Sequence, residues 1–171
     1  MSEWQNRSIE ERNLLNPAFC AVLLWFAAKG YQEEAAASGQ TSEGLPLELA
    51  FLALSFVLRG QTRAALPRFV KTSLAAWLVD NPLQRSAVAN GSIALRAYVR
   101  EAAIFGCGNG ALGVRGLAIF PNDATRKKVV SYLNAASQEV KDCGTRARFV
   151  GRWFFRSGSP STVMALMGVT R

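Results

Sequence analysis

Leu45-Pro-Leu-Glu-Leu-Ala-Phe-Leu-Ala-Leu-Ser-Phe-Val-Leu-Arg59 carries two charges in fifteen residues, and Gly60 follows it. The run is too short for a bilayer, which needs roughly 20 apolar residues. It is apolar almost all round, and a helix of that kind is stable only when other elements surround it. The stretch therefore predicts a central buried helix, opened by Leu45-Pro46, running through Leu47, Phe51, Leu54, Phe56 and Val57, and ended by Gly60. A domain of helices packed around that core follows.

Upstream, Asn16-Pro17 is a helix start, with Asn as cap and Pro at the first helical position. Phe19, Val22, Leu23, Phe26 and Ala27 recur at helical spacing and should face the core. The helix turns polar at Gln32, Glu33 and Glu34 and dissolves near Gly39. A short lead-in over Ser8 to Leu15 has Ser8 and Glu11 spaced as a capping box.

Downstream, Thr62 to Pro67 reads as a basic turn and about Thr72 to Asp80 as a helix. Asn81-Pro82 repeats the start signal, and Gly91-Ser92 divides that helix from one reaching about Phe105. Gly106 to Pro121 holds five glycines. It predicts a tight turn and then a β-hairpin over 111–120, folded at Arg115-Gly116. Asp123 caps a helix from Ala124 to about Val140, which Gly144 breaks. Thr145 to Ser157 forms another, and Ser159-Pro160 caps the last. The fold expected is mainly α: one compact domain over residues 1–171, with a hairpin near 111–120 and basic C-terminal helices over 124–169.

The chain has no histidine, three cysteines and a formal charge of +8. Without histidine, Ser–His and Cys–His nucleophile systems are excluded, as are the His-containing metal motifs. Cys20, Cys107 and Cys143 are odd in number and far apart, which argues against a disulfide framework. Exposed Glu10-Glu11, Glu33-Glu34 and Asp80 read as surface charge and caps. Gly106-Cys-Gly-Asn-Gly110 follows a helix and precedes a strand, the reverse of a phosphate-binding loop. The expectation is a non-enzyme without cofactor, metal or small-molecule substrate. With a polar start and no spanning segment, it is expected in the cytoplasm.

Charge is unevenly spread: −3 over residues 1–60, +5 over 61–120 and +6 over 121–171. An acidic front and a basic back suggest two partner surfaces. The run Arg146-Ala-Arg-Phe-Val-Gly-Arg-Trp-Phe-Phe-Arg-Ser-Gly-Ser-Pro160 is the most unusual segment. On a helix, Phe149, Val150, Trp153 and Phe154 share one face. Arg148, Arg152 and Arg156 form a row on the other, with Phe155 beside it. Such a row is a candidate docking strip, because arginine and aromatic side chains anchor interfaces. In the alternative, the arginines cover apolar surface and pair with the acidic first helices.

Arg126, Lys127, Lys128 and Arg146 are candidates for phosphate contact. The last two helices also have helix-turn-helix spacing, and with residues 111–120 as wing the layout would be winged-helix-like. The second of them, Ser161 to Gly168, has no Arg, Asn or Gln to read bases.

Asn16-Pro-Ala-Phe19, Gly30-Tyr-Gln-Glu-Glu34, Gly44-Leu-Pro-Leu47 and the closing Arg148-to-Pro160 pattern together resemble the middle component of bacterial three-component ABC-ATPase conflict systems. That broader group includes Lamassu-type anti-phage defence, and the resemblance runs from about residue 14 to Val169. It implies an adaptor on the head of an SMC-like ABC ATPase, coupling it to an effector, often a nuclease, when foreign DNA is sensed. It brings no catalytic residues. The competing expectation is a DNA-binding accessory protein using the basic C-terminal surface.

Overall fold

A computed structural model describes residues 15–42 and 44–169. Among these are nine α-helices and a small sheet: α1 (Pro17–Ala37), β1 (Leu45–Pro46), α2 (Leu47–Leu58), α3 (Gly60–Ala65), α4 (Leu74–Asp80), α5 (Pro82–Ala94), α6 (Arg96–Gly108), β2 (Leu112–Arg115), β3 (Ala118–Pro121), α7 (Arg126–Ala135), α8 (Gln138–Arg156) and α9 (Pro160–Met167). The lead-in expected over Ser8 to Leu15 lies almost wholly outside the described residues.

The start of α1 is the expected one: Asn16 Oδ1 accepts from the Ala18 N–H at 2.8 Å, and Pro17 takes the first position. The helix packs along α8 on one side and α6 on another, with β3 also against it. The crossing with α8 is backbone on backbone. A Cβ at Gly30 would overlap the Arg148 carbonyl, and one at Gly151 the Ala27 carbonyl. Only glycine permits so close an approach.

The expected central helix is α2, and eight of its twelve residues are buried. Its start needs correction. Leu45-Pro46 is a strand, paired antiparallel with Ile119 and Ala118 of β3. A residue before proline is pushed out of the α region, so Leu45 stays extended and the helix opens at Leu47. The hairpin is thereby closed into a three-stranded sheet in the order β1-β3-β2. It does not stand free as a wing: Leu112 and Ile119 are in the core, and the Leu47 N–H donates to the Leu117 carbonyl at 2.8 Å. Gly116 has φ +58° and Leu117 a negative φ, the signs of a II′ turn.

Four other boundaries differ from expectation. The basic turn after Gly60 is helix α3, held by buried Arg63 and by the Thr62 hydroxyl, 2.6 Å from Gln84 Oε1. Gly91-Ser92 does not divide a helix; α5 runs through it to Ala94. Gly91 is there for space, since a Cβ would strike the Ser55 hydroxyl. Gly144 breaks nothing either, because a Cβ there would come 2.6 Å from Leu133 of α7. The break falls earlier, at Ala136-Ser137, and Ser137 caps α8 by accepting from the Val140 N–H. Asn122, rather than Asp123, caps the turn leading into α7.

The core is aromatic where α2, α4 and α8 meet. The Phe56 ring lies 5.7–5.9 Å from those of Trp77, Trp153 and Phe154, and Trp77 lies 5.5 Å from Trp153, all in edge-on or tilted contacts. Both indoles have partners: Trp153 Nε1–H donates to the Thr72 carbonyl at 2.7 Å and Trp77 Nε1–H to that of Ala65 at 2.8 Å. The first ties the α3–α4 connection to α8 and the second ties α4 to α3. Ser159 caps α9 as expected, and Val163 and Met167 bury its inner face.

Candidate functional site

The glycine-tight crossing of α1 and α8 sets the arginine row against the last turns of α1. Arg148 Nε donates to Glu33 Oε2 at 2.7 Å. Arg152 Nε and Arg156 Nη1 reach the two oxygens of Glu34, at 2.9 and 2.8 Å. The Glu34 side chain is only 5% exposed, while Arg152 and Arg156 are 41% and 40% exposed. Phe155 is half-buried, its ring set edge-on to Tyr31 at 5.2 Å. This is the pairing with an acidic first helix that the alternative reading anticipated. The outer faces of the arginines still meet solvent, with Arg148 at 54% the most open.

Burial alone would raise the Glu34 pKa, but hydrogen bonds and charge from Arg156 and Arg152 outweigh it and hold the carboxyl below the usual range. Glu34 is therefore a carboxylate at neutral pH. It acts as a fixed two-armed acceptor that orients both guanidinium groups. Burial also pushes the Tyr31 phenol up.

The four candidates for phosphate contact do not act as one group. Arg126, Lys127 and Lys128 are exposed on the first turn of α7. Arg126 and Lys127 line a shallow apolar-floored cleft with Val130, Ser131 and Asn134. Arg146 is engaged elsewhere: its guanidinium lies 5.7 Å over the Phe149 ring, and Nη1 is 3.5 Å from the Pro67 carbonyl.

Sequence reading missed Arg63, which is 8% exposed. It donates to the Val57 carbonyl and Asp142 at 2.8 Å and to Glu139 at 3.2 Å, binding α2 and α3 to α8. Inside a short basic stretch nothing marks one arginine as interior. Also missed were two grooves beside the hairpin tip, because α2, α6 and β3 lie far apart in the chain.

The three thiols offer no ready nucleophile. Burial pushes Cys20 up to about 12, and it raises Cys143 and Cys107 as well. Among the described residues, no cluster of acidic or sulfur side chains has a metal-binding arrangement. No helix there is long and apolar enough to cross a membrane.

The family described as ABC-three component (ABC-3C) system Middle Component 3 matches residues 4–171. No curated protein and no solved structure matches the chain.

Proposed function

Because the chain belongs to the Middle Component 3 family of ABC-three component systems, we propose that it is a non-catalytic adaptor. In this reading it holds an SMC-like ABC ATPase to an effector in cytoplasmic defence against phage or plasmid DNA. The observation that carries the reading is the family match, which spans residues 4–171. The chemistry of the side chains supports it: no histidine, and thiols held protonated.

The proposed contact strip is the row Arg148, Arg152, Arg156 with Phe155. Its three guanidinium groups face two carboxylates, which leaves a positive charge for a partner, and Glu34 already holds two of them in place. Preorganised arginines lose less side-chain freedom on binding. A second reading, DNA contact, is favoured by exposed Arg126, Lys127 and Lys128.

Co-expression with the two companion components and a tagged pull-down, at moderate and high salt, tests the adaptor reading. Stable capture of the ATPase component supports it. Retention of DNA at low salt alone, with neither component, would overturn it in favour of DNA binding. Arg148→Glu should then weaken capture without unfolding the chain, since the Arg148 side chain is itself 54% exposed.

A further inference from the structure

The hairpin tip carries an apolar surface that the reading above does not use. Leu117 is 81% exposed, with Ile104 at 66% and Val114 at 56%. Two grooves, of about 420 and about 180 Å³, flank Leu117 and share Leu47 and Phe51 as floor. The ridge is rigid: β1 pairs with β3 directly behind it, and the Leu47 N–H holds the Leu117 carbonyl. An exposed leucine fixed between two apolar slots is a preorganised anchor.

The two grooves are lined by two arginines and one carboxylate, a positive balance. Arg96 lines the larger groove and Arg100 the smaller, one turn apart on α6, both exposed and in no ion pair among the described residues. Glu48, also in the larger groove, is engaged in an interaction of its own. A second copy docking by the same face would set these arginines against themselves, which disfavours a symmetric pair. Nucleic acid would find an apolar floor where phosphate needs donors.

The geometry points to an acidic amphipathic helix of a companion component as the occupant. Its aliphatic side chains would straddle Leu117 into both slots, at helical i, i+3 or i+4 spacing, and its Asp or Glu side chains would meet Arg96 and Arg100. This rests on the adaptor reading and gives it a second docking face, reached through the hairpin and α6 rather than through α8.

The test uses the full chain co-expressed with its two companion components. A photo-crosslinking residue replaces Leu117, and Leu117→Asp, Ile104→Glu and the pair Arg96→Glu/Arg100→Glu are compared for affinity. All sit on exposed positions, and thermal melts check that each variant folds. The expected result is a crosslink into an acid-bearing helix of one component, with affinity reduced about thirty-fold or more by Leu117→Asp, the scale of an interface hot spot. The charge pair should lose affinity more steeply at low salt. Should wild type assemble while Leu117→Asp and Ile104→Glu bind as tightly, this proposal is overturned and the adaptor reading stands. A crosslink to a second copy of the chain, or to DNA, overturns it too. If wild type retains neither component, both readings fall together.

Discussion

Glu34 and its two arginines can be parted by mutation from either side, and the two sides are not equivalent. Removing the carboxylate with Glu34→Ala leaves Arg152 and Arg156, whose side chains are 41% and 40% exposed and so can be rehydrated. Each lost pair then resembles a surface ion pair of about 0–1 kcal/mol, for a total of about 0–2 kcal/mol. Removing the arginines with Arg152→Ala/Arg156→Ala instead strands a carboxylate whose side chain is 5% exposed. Breaking a buried pair that way costs about 3–5 kcal/mol. The pH dependences have opposite sign. In the wild type the folded pKa of Glu34 lies below its ordinary 4.5, so its stabilisation is present above that value and lost as pH falls through the folded pKa. In the double variant, burial without donors raises the folded pKa, so the folded state takes up a proton more readily and the penalty shrinks on acidification. Urea denaturation at pH 8, pH 5 and pH 3, followed by tryptophan fluorescence, measures both, because the wild-type loss falls below the ordinary 4.5. Equal costs for the two variants, or a double-variant penalty that ignores pH, would refute the assignment of Glu34 as the buried hub.

Trp153→Ala should cost about 3–5 kcal/mol, because the side chain is fully buried and its indole bonds the Thr72 carbonyl; a melt within a degree of wild type would contradict that burial. Gly151→Ala should destabilise by about 1–3 kcal/mol or more, since its methyl meets the Ala27 carbonyl and the α1–α8 crossing must open. Gly39→Ala has open space around it but strains a backbone at φ +70°, which separates steric from conformational cost when both are melted side by side. In the folded protein at pH 8, iodoacetamide should label Cys107 first and leave Cys20 unmodified, with mass spectrometry reporting the order.

The elements with signals in their own residues were readable. Asn16-Pro17 and Ser159-Pro160 begin helices because a side-chain acceptor and a proline are both needed at a helix N-terminus, wherever it sits. The hairpin was readable from Arg115-Gly116. The glycines misled: Gly91 and Gly144 look like breaks, yet both lie within helices, because the neighbour each makes room for is remote in the chain. Leu45-Pro46 read as a helix opening because its partner strand lies beyond residue 117. For the arginine row, spacing put three guanidinium groups on one face, but two outcomes remained open.

What the sequence by itself determined is the set of local choices: where most helices start, that α2 must be interior, and that histidine-dependent chemistry is excluded. Those follow from backbone geometry, hydrophobic periodicity and residue identity, which act over a few positions. The tertiary structure decided which charges are spent on one another and which faces stay open. Glu34 meets Arg152 and Arg156 across 118 and 122 residues, and only the glycine contacts at Gly30 and Gly151 bring α1 and α8 close enough for it. The ridge at Leu117 is likewise a product of packing, since its slots are floored by α2 and walled by α6. Pairing, burial and groove formation depend on distance in space, and no pattern along the chain encodes that distance.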